Sequence, residues 1–249
     1  MRISFWLLAA LLLSGLQAAA QDPKSILRES EKRRRGIESS RAEMTMTIVR
    51  PSWTRTMSLK AWSKGDDYAL ILVTAPAKDQ GSATLKRGKE VWNWSPTIAR
   101  TIKLPPSMMS QSWMGSDMTN EDLVREVSIV DDYRHKLLGT ETIEGRPCWK
   151  IELLPNEGLA VVWGKIYLWV DQKDYLQLRT EFYDEDNVLV NVMQASRIQV
   201  MGGRTIASRL EMTPVEEKGN KTVLEYTSIS FDENLPETFF SLQNLQRVR

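Results

Sequence analysis

From residue 42 onward, apolar and polar positions alternate along the chain with a period of two. Met44, Met46 and Ile48 fall on one side of "MTMTIV". Met57, Leu59 and Ala61 fall opposite Ser58, Lys60 and Trp62 in "TMSLKAW". Period two is the signature of β-strands with one buried face. The same reading applies to "KEVWNWS", "ARTIKL", "CWKIELL", "KIYLWVD", "LQLRTEFYD", "VLVNVMQAS", "TIASRLEMT" and "TVLEYTSISF". Turn formers separate them, at residues 144–145, 171–174, 184–187, 202–203 and 218–220. About eleven antiparallel strands, mostly in hairpins, are predicted.

Three segments break the pattern. Residues 23–40 read as a helix, with Pro23 in the first turn and Ile26, Leu27 and Ile37 as a thin apolar stripe. Residues 105–126 interrupt the strands, with a helix expected over "TNEDLVRE", capped by Thr119. The ending "NLPETFFSLQNLQ" predicts a short helix or turn carrying paired aromatics. Some strands, "YALILV" and "IYLWV" among them, are apolar on both faces. A simple sandwich would leave one of those faces wet. A curved sheet with helices over its concave side covers both.

The chain has 249 residues, and residues 21–249 are expected to form one domain. The first twenty residues stand apart. Arg2 precedes an apolar run from Phe5 to Leu13, and Ala18-Ala19-Ala20 forms a small-residue cleavage site. This predicts a cleavable signal peptide. The position of a lipidated cysteine is held by Leu16, so an exported, non-lipidated periplasmic protein is expected. Loss of Arg2 takes Lys+Arg from 33 to 32, equal to the 32 Asp+Glu. A neutral chain is a poor partner for nucleic acid. The single Cys148 leaves no internal disulfide. Lys32 to Arg35 is a basic run, either a solvated helix face or a docking patch in which Arg33, Arg34 and Arg35 would meet a partner.

Catalytic chemistry has little to draw on. His135 is the one histidine, and no metalloprotease, thioredoxin-like, nucleophile-elbow or phosphate-loop motif occurs. Asp66-Asp67 and Asp131-Asp132 sit where strands turn, and Cys148 opens an apolar strand. The run 184–187 lacks the calcium-loop spacing. A non-enzymatic protein with no cofactor and no resident metal is expected.

Two segments carry a family resemblance. "LKRGKEVWNWSPTIARTIKLP" (85–105) resembles the hairpin of the LolA/LolB-like outer membrane lipoprotein-sorting proteins. Gly88-Lys89 makes its first turn, Val91-Trp92-Asn93-Trp94 its aromatic strand and Pro96 its second turn. "DENLPETFFSL" is similar to that family's closing segment, here with Leu235, Pro236 and Phe240. The resemblance implies an unclosed antiparallel half-barrel whose concave face is covered by helices, with acyl chains held between them. It also implies an early-strand arginine that bonds to the covering helices. Arg50 and Arg55 both lie in that region.

The segment "PPSMMSQSWMGSDM" (105–118) then has three readings: a buried connector, a lid or lining for an acyl ligand, or a thioether site for Cu(I). Methionine is flexible and polarizable, which suits a cavity for ligands of varied shape. Burying each methylene contributes about 0.8 kcal/mol, enough for tight but reversible carriage without a cofactor. On the acyl reading the ligand-binding residues are Trp92, Trp94, Met108, Met109, Trp113, Met114 and Met118, with Leu70 and Leu72 behind them. The expected function is a periplasmic carrier that passes lipid or lipoprotein acyl chains toward the outer membrane, a monomer that an inner-membrane transporter or exporter serves. The alternative is a lipid-sensing or exporter-associated module.

Overall fold

The computed structural model describes residues 21–35, 38–124, 128–158 and 162–248. The signal-peptide reading therefore lies outside the described residues. A first helix, α1 (Pro23–Arg35), is followed by six strands: β1 (Ser39–Arg50), β2 (Trp53–Lys64), β3 (Tyr68–Ala75), β4 (Ala83–Arg87), β5 (Glu90–Ser95) and β6 (Arg100–Lys103). A segment of short 3-10 turns leads to α2 (Asn120–Val124). Seven further strands follow: β7 (Tyr133–Ile143), β8 (Arg146–Pro155), β9 (Lys165–Asp171), β10 (Gln177–Tyr183), β11 (Leu189–Met201), β12 (Arg204–Pro214) and β13 (Lys221–Phe231). A short closing helix, α3 (Leu242–Leu245), ends the chain.

The thirteen strands form one antiparallel sheet in the order β6-β5-β4-β3-β2-β1-β13-β12-β11-β10-β9-β8-β7. No ladder among the described residues joins β6 to β7, so the sheet is not closed. It must nevertheless curl. Ile71 on β3 and Leu153 on β8 belong to one buried cluster and line one cavity. Eight strand spacings separate β3 from β8 in the sheet order, about 38 Å in a flat sheet at about 4.8 Å each. Only strong curvature brings them together. The fold is therefore mainly β, an open half-barrel, as the alternation of the sequence predicts.

Two expectations change in detail. The strands number thirteen rather than about eleven, because β4 and β7 are added. β4 is five residues long, and β7 is an edge strand whose second half is exposed from Gly139 to Thr142, so neither shows a clean apolar period. The first helix stops at Arg35 rather than running to residue 40, and β1 already begins at Ser39. The α2 cap is as expected: Asp122 N donates to Thr119 Oγ1 at 3.1 Å, and Thr119 N donates back to Asp122 Oδ2 at 2.8 Å. This is a reciprocal capping box.

Each face of the sheet is covered by different parts of the chain. The concave face carries the main core, including Met46, Ile48, Met57, Ile71, Leu168 and Met212, with Ile26 and Leu27 of α1 packed onto it. The convex face of β2 to β5 carries Trp62, Leu70, Leu72 and Leu85, and these are covered by Phe240, Leu245 and Val248 from the C-terminal segment. The two-sided apolar character of β3 thus has two coverings rather than one.

Candidate functional site

Along β1 and β2, facing pairs on the concave side change steadily in character. Ser40 pairs with Ser63, Ala42 with Ala61, Met44 with Leu59 and Met46 with Met57. Ser40 Oγ and Ser63 Oγ lie 2.7 Å apart and share a hydrogen bond. The two small alanines that follow leave room above the sheet. That room is part of a cavity of about 320 Å³, at the small end of the range for ligand sites.

Strands from β1 to β4 and from β7 to β13 contribute to its wall, with α1 and α2 across it. The apolar lining includes Met44, Ile71, Leu168, Phe182, Met212 and Leu224. Trp163 and Phe182 pack with ring centroids 5.1 Å apart. Burial, then the carboxylates of Glu121, Asp132 and Asp122, push the Tyr133 phenol up, so it stays neutral in the wall. One donor among the described wall residues is buried without an acceptor, Trp163 Nε1.

The two ends of this cavity differ. At the end where β1 finishes, the chain is closed off. Arg50 donates to Asp117 Oδ2 at 3.0 Å and to the Gly115 carbonyl at 2.9 Å, and it reaches Asp117 Oδ1 at 3.0 Å. Thr222 Oγ1 donates to the same carboxylate at 2.7 Å and accepts from Asp117 N at 2.9 Å. Arg55 donates to the Met114 carbonyl and, at 2.6 Å, to Asp79 Oδ2. Both early-strand arginines thus bind the 113–118 turn. Met114 needs that support, because its φ of 51° is left-handed, a region that costs a non-glycine residue free energy. At the other end lie Arg33, Gly65 and Asp66, the exposed members of the lining. Gln177 bridges to α1 there, donating to Ser30 Oγ at 3.2 Å and Glu31 Oε1 at 2.8 Å. Lys86, buried, donates to the Asp66 carbonyl at 2.8 Å.

Of the nine residues that the sequence singles out, the structure sets Met118 in the cavity wall. Leu70 and Leu72 face the convex side under Phe240, with Trp92 and Trp94 packed at the same cluster. Ile71, between the two leucines, is the member of that strand that faces the cavity. Met108 and Met109 pack with Val91 and Leu104 in a separate small cluster. Trp113 is buried in the main core and donates to Thr84 Oγ1 at 3.3 Å, while Met114 packs at its edge. The segment 105–118 is a connector that buries Met109, Trp113, Ser116 and Met118, and of these Met118 lines the cavity. Its four methionines divide between two clusters, so they do not gather as a thioether set. Among the described residues there is no group of three or more His, Cys, Asp or Glu placed to hold a metal. Arg33 lies at the open end, with an exposed i,i+4 ion pair to Glu29. The side chains of Arg34 and Arg35 lie outside the described residues.

The lining that sequence reasoning missed includes the small or polar Ala42, Ala61 and Ser63 and the larger apolar Met44, Ile71, Phe182 and Met212. Its signal was the ladder register, which a period alone does not give.

A family model described as that of an uncharacterized protein matches residues 65–247. The chain belongs to this family, and its fold is LolA-like. A DUF1329 family protein from Desulfovibrio piger superposes with a TM-score of 0.81 at 26% identity, over 90% of this chain and 97% of that one. A domain from Vibrio parahaemolyticus, named for outer membrane lipoprotein sorting, gives 0.81 at 24% identity over 90% and 98%. A LolA superfamily protein from Nitrosomonas europaea gives 0.76 at 24% identity over 89% and 98%. The last two share the fold with this chain. No curated protein matches it in sequence. No helix among the described residues is long and apolar enough to cross a membrane.

Proposed function

We propose that this LolA-like protein is a periplasmic carrier that holds a lipid or lipoprotein acyl chain between its concave sheet and α1, and passes it toward the outer membrane. The observation that carries the reading is the apolar cavity itself, lined by Met44, Ile71, Phe182, Met212 and Leu224 and stopped at one end by the 113–118 turn. A compact core fills such space. Here paired alanines leave it open. Binding needs no chemical step: burying methylenes supplies the affinity, and release follows when an acceptor offers a more apolar groove. The two neighbours named for LolA and for lipoprotein sorting support this class of cargo. An inner-membrane transporter or exporter would load it, and Arg33 lies at the open end.

Native mass spectrometry with lipid extraction, on the mature protein purified from its own envelope, tests this. A co-purifying lipid or acylated peptide is expected, and Ala42→Trp or Ala61→Trp should remove it while the folded spectrum stays intact. A bare protein that also fails to take up a fluorescent fatty acid would end the carrier reading.

A further inference from the structure

The cavity is polarised along its own axis. On the β1–β2 ladder the facing pairs run from two serines, through two alanines, to Met44 and Leu59, all on the concave side. The serine end coincides with the exposed lining residues Arg33, Gly65 and Asp66. Met118 lines the methionine end, and beyond it lies the Arg50–Asp117 closure, whose side chains are 15% and 6% exposed. So water, hydroxyls, the Arg33 guanidinium and the Asp66 carboxylate meet at one end, and Met44, Met118 and Met212 form an apolar floor at the other, with the Glu121 and Asp122 carboxylates also in the wall.

We infer that the ligand is an amphiphile that enters tail first, between the C-terminal half of α1 and the β2–β3 turn, and leaves a hydrogen-bond-accepting, anionic head at Arg33, Ser40 and Ser63. The inference rests on the carrier reading and adds a direction to it. Its physical ground is desolvation. A carboxylate or phosphate pushed to the Met212 end would lose its water without a cation to meet it, which is costly. A methyl terminus there loses nothing. Arg33 is held by an exposed ion pair to Glu29 at 3.3 Å, a contact weak enough to exchange for a ligand head. The Gln177 bridge to Ser30 and Glu31 is the contact that an incoming chain must part. The rival orientation would put the head at the unpaired Trp163 Nε1.

Two photoreactive palmitic acids decide between them. One carries its diazirine at the methyl end and the other beside the carboxylate. After irradiation of the mature protein, the methyl-end probe is expected to mark the Trp163–Phe182 region. The carboxyl-end probe should mark residues around Ser40, Ser63 and Arg33. The reverse pattern, or the same sites for both probes, would overturn the direction while leaving carriage intact. No labelling by either probe would overturn carriage and the direction with it. Arg33→Glu gives an independent check. It should weaken palmitate by up to about fivefold, the effect of one exposed charge pair, and leave hexadecanol unchanged. Equal effects on both would count against a head at Arg33. Competition by palmitate and by a lysophospholipid distinguishes a free carboxylate from a phosphodiester as the natural head.

Discussion

Arg50 and Asp117 meet in a two-pronged ion pair, Nη1 to Oδ2 and Nη2 to Oδ1, each at 3.0 Å. The pair joins the end of β1 to a turn 67 residues later in the chain, and Thr222 of β13 donates to the same carboxylate. Removal of one partner leaves the other buried and uncompensated. Arg50→Ala is therefore expected to lower stability by about 3–5 kcal/mol, read by chemical denaturation. Arg55→Ala, at a more exposed pair with Asp79, should cost about 1 kcal/mol. Equal small losses at both positions would show that the turn is not held by Arg50.

The C-terminal segment should be indispensable to the sheet it covers. Phe240 is fully buried against Tyr68 and Phe239, with ring centroids 5.4 and 5.3 Å away. Phe240→Ala should cost about 3–5 kcal/mol. A chain ended after Phe231 would expose Leu70, Leu72 and Leu85 together and is expected to aggregate. Light scattering on the truncated protein checks this, and a soluble, folded product would contradict the two-covering account of the fold.

The lone thiol should be silent in the native protein. Burial first, and then the Asp171 carboxylate, push Cys148 up to about 11. An ordinary thiol lies near about 8.5. The folded state therefore keeps its proton where the unfolded chain loses it. This group's contribution to stability is intact below about 8.5 and is lost as pH rises toward 11. Ellman's reagent at pH 8 should not react until denaturant is added. Rapid labelling of the native protein would show that this part of the sheet opens.

Glu141 predicts an effect at the acid end. Its hydrogen bond from Lys150, and then the one from the Trp169 indole, hold the carboxyl below its usual range. The stabilisation is present above about 4.3, the unfolded value, and is lost as pH falls through the lower folded value. The side chain is half exposed, so less than about 1 kcal/mol is involved. Glu141→Gln should flatten the stability curve below pH 4.3 and leave it unchanged at pH 7. An identical acid limb in both proteins would rule the pair out as its source.

The class of fold was legible because β1 from Ala42 and β10 alternate cleanly. What alternation cannot tell is which face is concave when both are apolar. "YALILV" offers Leu70 and Leu72 on one side and Ala69, Ile71 and Val73 on the other. The larger pair faces outward because residues 232–248 return to cover it, a contact between positions about 170 apart in the chain. The same long-range packing draws Trp92 and Trp94 away from the cavity. Met108, Met109 and Trp113 were conspicuous by residue type, yet their burial follows from bonds such as Asn120 Nδ2 to the Met108 carbonyl that no local pattern encodes. The residues that make room, Ala42 and Ala61, were inconspicuous because space is created by what a side chain lacks.

The seam between β6 and β7 has a further consequence. A closed barrel has a girth set by strand number and stagger, and widening it means breaking backbone bonds. Here the girth is elastic: the sheet can uncurl slightly without losing a rung of its ladder. Depth has less freedom, because Arg50 and Asp117 pin the turn whose Met118 lines the cavity. On the proposed carrier reading, a container of this form is tolerant of a cargo's thickness and strict about its length.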